Sequence, residues 1–149
     1  MKTLIIYSSL HHGNTEKVGK AIAEELRADI KKVNEVDTNT LNNYNLIGFG
    51  SGIYGGKFHK SMLELFNKFP NLPNKKIFIF STSSQGGYEY NKPIEDKLKG
   101  KGFRLVGSYA CKGFNTFGPL KLFGGMSKGR PNEEDLQRAK EFARKVAAI

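Results

Sequence analysis

Three short stretches of the chain concentrate residue types that bind a polar ligand without ionising. They are Ser8-Ser9-Leu10-His11-His12-Gly13-Asn14-Thr15, Ser51-Gly52-Ile53-Tyr54-Gly55-Gly56 and Thr82-Ser83-Ser84-Gln85-Gly86-Gly87-Tyr88. All three are rich in glycine, hydroxyl, amide or tyrosine residues, and none contains Asp, Glu or Cys. Backbone N–H groups, hydroxyls and aromatic faces are the chemistry on offer, which suits binding better than acid–base catalysis. The first stretch ends where a helical pattern begins, and the unpaired N–H groups and positive dipole end of a helix start favour an anion. Ser8, Ser9 and Thr15 would add neutral donors, so a phosphate monoester fits without any lysine. An ordinary capped loop is the alternative that this segment alone leaves open. His11, His12 and His59 have no recurring Asp or Glu partners, so the convergent ligands of a metal site are not expected. Cys111 is the lone cysteine and reads as a small buried residue after an apolar strand. Phe117 stands six residues beyond it, which excludes the Cys-x5-Arg phosphatase arrangement.

The elements that position these stretches follow from hydrophobic periodicity. Thr3 to Tyr7 is a continuous apolar run, and Val18, Ile22, Ala23 and Leu26 share one face of a helix that Asn14 or Thr15 would cap. A weaker strand is expected near Ile30 to Val36 and a third at Leu46 to Gly50, followed by a glycine-rich loop reaching Phe58. Met62, Leu65, Phe66 and Phe69 repeat at helical spacing until Pro70 and Pro73 end the element. Ile77 to Ser81 gives a fourth strand, Pro93 to Lys99 a short helix stopped by Gly100, and Phe103 to Ala110 a fifth strand. Pro131-Asn132 opens a last helix whose Glu133, Glu134 and Asp135 suit the positive end of its dipole. Non-alternating apolar strands, each followed by a helix-length segment, mark a parallel sheet covered on both faces. The expected class is therefore doubly wound α/β. In such sheets ligands bind beyond the carboxyl ends of the strands, near the switch point, and the three polar stretches fall there.

The chain has 149 residues, with 24 Lys+Arg against 14 Asp+Glu and a net charge of +10. Its length and 38% hydrophobic content fit one domain, 1–149, able to bury a core without disulfide or metal staples. Apolar stretches such as Leu4 to Tyr7 are far short of the ~20 residues of a membrane helix. The opening Met-Lys-Thr enters a strand-like run with no leader-type apolar region and cleavage site. A cytoplasmic protein with no membrane span is expected. The positive charge invites a nucleic-acid reading, but the lysines are scattered, as Lys31-Lys32, Lys75-Lys76, Lys97, Lys99 and Lys101, and no recognised module occurs. No nucleic-acid partner is expected. A phosphoacceptor receiver would need acidic residues after the first and third strands to hold Mg²⁺, where this chain has Ser8-Ser9 and Gly50-Ser51.

On these residues the chain resembles the flavodoxin family. The first strand, the Ser8 to Thr15 loop with its Gly13-Asn14-Thr15 ending, and the following helix look like that family's FMN phosphate loop, and the chain length and three loops match its short-chain members. The resemblance implies a flavodoxin-like three-layer α/β sandwich with a five-stranded parallel sheet of order 2-1-3-4-5, helices on both faces, and FMN as cofactor. Ser8, Ser9, His12, Gly13, Asn14 and Thr15 would surround the phosphate, with His12 standing where the family usually has a hydroxyl. Ser51, Gly52, Ile53, Tyr54, Gly55 and Gly56 would embrace the inner edge of the isoalloxazine. A glycine peptide there could turn its carbonyl toward flavin N5–H upon reduction, and Tyr54, then Tyr88, would be the ring-stacking candidates. Thr82, Ser83, Ser84, Gly86, Gly87 and Tyr88 would supply backbone donors to the pyrimidine side. Ordinary flavodoxins are strongly acidic and this chain is basic, so the resemblance implies a less negative potential for the second reduction step.

The implied function is an FMN-binding electron-transfer protein shuttling one or two electrons, with acidic redox proteins as partners. The stretch from Ser51 to Ser61 also resembles, at a distance, the menaquinone-dependent protoporphyrinogen oxidase. The alternative is therefore an FMN-dependent oxidoreductase acting on a quinone or flat aromatic substrate. Phe114, Phe117, Leu120 and Phe123, between Lys112 and Arg130, would roof the flavin or receive such a substrate; a long connection packed on the last helix is the competing expectation.

Overall fold

Five parallel strands make the sheet, and the alternation of their side chains decides which helix covers which face. The computed structural model describes residues 1–10, 12–116 and 124–149. The chain runs β1 (Thr3–Ser8), α1 (Asn14–Leu26), β2 (Asp29–Lys32), β3 (Leu46–Tyr54), β4 (Lys57–Phe58), α2 (Lys60–Asn67), β5 (Lys76–Ser83), α3 (Lys92–Gly100), β6 (Arg104–Lys112) and α4 (Glu133–Ala147). The parallel strands lie in the order β2-β1-β3-β5-β6. This is the expected 2-1-3-4-5 once the short β4, antiparallel to the end of β3, is set aside.

Successive strand residues point to opposite faces. Leu4 and Ile6 of β1 join Ile77 and Ile79 of β5 against Met62 and Phe66 of α2 and Ile94 and Leu98 of α3. Ile5 and Tyr7 join Phe78 and Phe80 against Val18 and Ile22 of α1 and Ala139 and Ala143 of α4. With both faces covered, the central strands carry unbroken apolar runs. Burying one large aliphatic or aromatic side chain contributes about 1.5–3 kcal/mol, whereas an exposed ion pair such as Arg144–Glu25, at 2.6 Å between α4 and α1, contributes about 1 kcal/mol or less. The two cores, not the surface pairs, hold the layers together.

Several local expectations are corrected. β2 stops at Lys32, and Val33–Glu35 form a 3-10 turn in which the Lys32 N–H donates to Glu35 Oε1 at 2.9 Å. β2 is an edge strand with mostly exposed side chains, anchored through Ile30, and Val33 and Val36 reach the other core face from the turn rather than from a continued strand. The stretch from Ser51 to Phe58 is a hairpin rather than a loop. Gly55 and Gly56 adopt φ of 57° and 79°, which two-residue hairpin turns require and glycine adopts at no steric cost, so β3 continues to Tyr54 and β4 returns beside it. Neither Asn14 nor Thr15 caps α1, because Gly13 precedes the helix at φ 67° and offers no capping side chain. Gly100 is the last residue of α3 and not its stop; the left-handed residue falls at Gly102. α2 ends at Asn67, and Phe69 packs beyond it against Phe49, Phe66 and Phe103.

Candidate functional site

The carboxyl ends of β1, β3 and β5 meet around a cleft of about 120 Å³. Leu10, His12, Asn14 and Thr15 line it from the first stretch, and Gly52, Ile53, Tyr54 and Gly55 from the hairpin. Thr82, Ser83 and Ser84 line it from the end of β5, and Gly113, Phe114 and Asn115 from beyond β6. Among the described residues, no Asp, Glu, Lys or Arg belongs to this lining. Among the described residues, no group of three or more His, Cys, Asp or Glu side chains gathers to hold a metal.

The first stretch delivers the start of α1 to the cleft. Ser9 Oγ accepts the Glu16 N–H at 3.3 Å, while the N–H groups of Asn14 and Thr15 find no acceptor among the described residues. The Asn14 amide donates to the Phe114 carbonyl at 2.8 Å, and its buried Oδ1 has no hydrogen-bond partner among the described residues. Thr15 and Thr82 share a buried hydroxyl–hydroxyl bond of 2.8 Å that ties α1 to β5. Thr15→Val leaves the buried Thr82 hydroxyl unpaired and lowers stability by about 1–2 kcal/mol. Replacing both residues by valine recovers most of that loss, and urea unfolding of the two variants checks it.

The hairpin brings Tyr54 over Gly52, where an added Cβ would fall within 3.0 Å of the Tyr54 hydroxyl. Burial pushes the Tyr54 phenol above its ordinary pKa, with the Leu10 backbone opposing it in part, so the ring stays neutral. Ser51 is fully buried; its Oγ donates to the Gly52 carbonyl at 2.7 Å and accepts the His59 N–H at 2.9 Å, which pins the two arms of the hairpin.

Ser8, Gly56, Gly86, Gly87 and Tyr88 are not among the residues that line the cleft. Ser8 Oγ turns to Ser61 Oγ of α2 at 3.2 Å and is absent from the lining. Gly56 completes the hairpin turn. The Gly86 N–H donates to Ser83 Oγ at 2.8 Å, Gly87 lies against the Glu89 carboxylate, and Tyr88 stands 54% exposed outside the cleft. His12 pairs through Nε2 with Thr116 Oγ1 at 3.0 Å, and its ring lies 4.4 Å from that of Phe114.

Thr116 and Phe114 belong to the segment after β6, which folds back onto the cleft. Gly113 N–H donates to the Ser83 carbonyl, Phe114 N–H to that of Arg130, and Asn115 and Met126 exchange two backbone bonds. Ser127 Oγ donates to the Ser84 carbonyl. Of the four apolar residues noted there, Phe114 lines the cleft, whereas Phe117, Leu120 and Phe123, like His11, lie outside the described residues. Leu10, Gly113 and Asn115 were not anticipated from sequence. Gly113 carries the one usable signal, since a Cβ there would strike the Asn14 side chain. Cys111 is buried and its thiol is pushed up to about 12 by that burial, with Asp135 adding to the effect, so it stays protonated at neutral pH.

A doubly wound sheet of this order, with a cleft where its winding reverses, is the flavodoxin-like winding, whose ligand site lies at that switch point. The profile of the flavodoxin domain family matches residues 4–111, and the chain belongs to that family. It is 51% identical over 148 residues to an uncharacterised protein of Methanocaldococcus jannaschii, covering 98% of each chain. Its fold is similar to that of a flavodoxin from the domain Archaea, with a TM-score of 0.74 at 20% identity over 99% of this chain and 97% of the other. It is equally similar to the Streptococcus pneumoniae flavodoxin, with a TM-score of 0.74 at 20% identity over 99% of each. Flavodoxin 2 of Bacillus cereus gives 0.73 at 22% identity, again over 99% of each. Family membership points to flavin-binding electron transfer.

Proposed function

We propose that this chain, as one domain spanning 1–149, is a cytoplasmic electron carrier that binds FMN in the cleft. The observation that carries the reading is the junction of β1 and α1. A helix begins at the cleft with free N–H groups, and the lining around it holds amide, hydroxyl and aromatic groups but no carboxylate. These residues fit the cofactor. The Asn14 and Thr15 N–H groups with Ser9, Gly13 and the start of the helix dipole would hold the phosphate. Ile53 and Tyr54 would flank the ring, and the chain from Thr82 to Ser84 would offer backbone groups to its polar edge. The buried Asn14 Oδ1, without a partner among the described residues, would accept from a hydroxyl of a polyhydroxyl chain. Bound FMN would supply the electron-accepting ring. The protein's own work is to grip the phosphate, exclude water with Tyr54 and Phe114, and leave the Gly55–Gly56 peptide free to reorient.

The alternative, an FMN-dependent oxidoreductase acting on a quinone or flat aromatic, draws support from Phe114, an apolar wall supplied by the segment after β6. The test of FMN recognition is an equilibrium fluorescence titration with FMN and with riboflavin. FMN binds at least about tenfold more tightly, equivalent to about 1.4 kcal/mol from the phosphate contacts. Equal affinity for the two, or no binding of either, contradicts the reading.

A further inference from the structure

One imidazole outside the cleft lining joins three of the elements around it. His59 ends the hairpin and stands at the N-cap of α2, where its Nδ1 accepts the Ser61 N–H at 3.1 Å. A ring nitrogen that accepts an N–H carries no proton, so the imidazole is neutral and protonated at Nε2. The Ser61 hydroxyl then donates to Nδ1 at 2.7 Å, and the Ser8 hydroxyl at the end of β1 donates to Ser61 Oγ at 3.2 Å. The His59 N–H reaches the buried Ser51 Oγ at the root of the hairpin. Its ring meets that of Tyr54, which lines the cleft, edge to face at 5.3 Å.

Protonation undoes that joint. An imidazolium donates from both ring nitrogens, so Nδ1 no longer accepts the Ser61 N–H, and its charge meets the positive end of the α2 dipole. The charged groups on the surrounding elements are Lys57 on the hairpin, Lys60 and Glu64 on α2, Lys68 at its C-cap, and Glu35 and Asp37 on the 3-10 segments between β2 and β3. The Lys32 N–H holds the Glu35 carboxylate and the Asn39 N–H that of Asp37. β1 brings only the Tyr7 phenol, turned to Glu16, and the Tyr54 phenol is neutral. Among the described residues no carboxylate forms an ion pair with the His59 ring.

We infer that His59 is a positioning residue for the hairpin: its neutral ring holds Tyr54 in the cleft wall, and protonation of that ring releases the start of α2 and slackens the hairpin. The inference rests on the FMN-carrier reading and adds to it a control of cofactor retention by pH. FMN recognises the held arrangement, whose population limits the apparent affinity. The hold is worth about one helix cap, so its loss weakens FMN binding about fivefold. The sign is definite. Affinity is full while the imidazole is neutral and drops as the pH falls through the range in which histidine gains its charge, between about pH 8 and pH 5.

The test measures FMN affinity by fluorescence at about pH 8 and about pH 5 for the parent, His59→Asn and His59→Ala. Asparagine keeps a capping acceptor and does not titrate, whereas alanine offers no acceptor. The affinity of the parent relative to His59→Asn falls about fivefold between the two pH values, a ratio from which the titrations of the phosphate, His11 and His12 cancel. His59→Ala binds more weakly than His59→Asn at both. In the parent without FMN, ¹⁵N spectra show the neutral His59 ring protonated at Nε2, and the Tyr54 ring signals move along the His59 titration. A ratio indifferent to pH, a neutral ring protonated at Nδ1, or His59→Ala binding as tightly as His59→Asn overturns the proposal. If no chain takes up FMN, the carrier reading falls and the Tyr54 signals alone decide the joint: movement with the His59 titration supports it, and indifference overturns it.

Discussion

Arg130→Ala lowers the unfolding free energy by about 3 kcal/mol at neutral pH, the size expected when a buried carboxylate loses its counter-ion. The Asp135 side chain is 4% exposed and receives Arg130 Nε at 2.6 Å on one oxygen and a second guanidinium nitrogen at 2.7 Å on the other. It also accepts the Asn132 N–H at 2.8 Å, while Asn132 Oδ1 accepts the Asp135 N–H, so the pair doubles as the cap of α4. The Tyr109 hydroxyl donates to the Asp135 carbonyl from β6. Removing the guanidinium leaves that charge buried beside a hydrogen-bonded cap that cannot move away. The pH dependence has a definite sign. The Arg130 guanidinium holds the Asp135 carboxyl below the usual carboxylate range, so this group stabilises the fold above its unfolded pKa of about 3.9 and loses that contribution as pH falls through the lower folded value. The deficit of Arg130→Ala is therefore full at pH 7 and narrows below about pH 4. Urea unfolding at both pH values measures it; a midpoint unchanged at pH 7 contradicts the assignment.

Gly50→Ala costs about 3 kcal/mol, the upper part of the range for overpacked cores. A Cβ at Gly50 would fall within 3.0 Å of the Phe80 ring, which is fully buried. Gly50 sits in β3 between Tyr7 of β1 and Phe80 of β5, so neither backbone nor ring has room to retreat. The same relation recurs one turn of the pleat earlier, where Gly48 faces Phe78. Gly50→Ala/Phe80→Leu frees ring volume and regains part of the loss. Thermal unfolding of the single and double variants decides the matter, and a Gly50→Ala chain as stable as the parent shows that the sheet yields where close packing says it cannot.

The layers were legible because both faces of the sheet are buried. Unbroken apolar runs mark β1, β3 and β5, and Val18, Ile22, Met62 and Phe66 recur at helical spacing, so local pattern and tertiary packing agree. The cleft was legible for a related reason: polar, glycine-rich stretches follow three strands whose carboxyl ends the topology brings together. Individual hydroxyls were not legible. Thr15 finds Thr82 across 67 residues, Ser8 finds Ser61 across 53, and His12 finds Thr116 across 104. Such pairings depend on strand register and helix placement, which no local spacing encodes. The exposure of Tyr88, which opens a 3-10 turn at Tyr88–Tyr90, was not legible either.

The most direct test of the central claim is stepwise anaerobic reduction of the FMN-loaded protein, followed by absorbance. An electron carrier of this family takes up two electrons in separate one-electron steps, the second at a less negative potential than in an acidic flavodoxin measured under the same conditions, because this chain carries a net charge of +10. Passage in a single two-electron step, or a second potential as low as that of the acidic protein, would contradict the account.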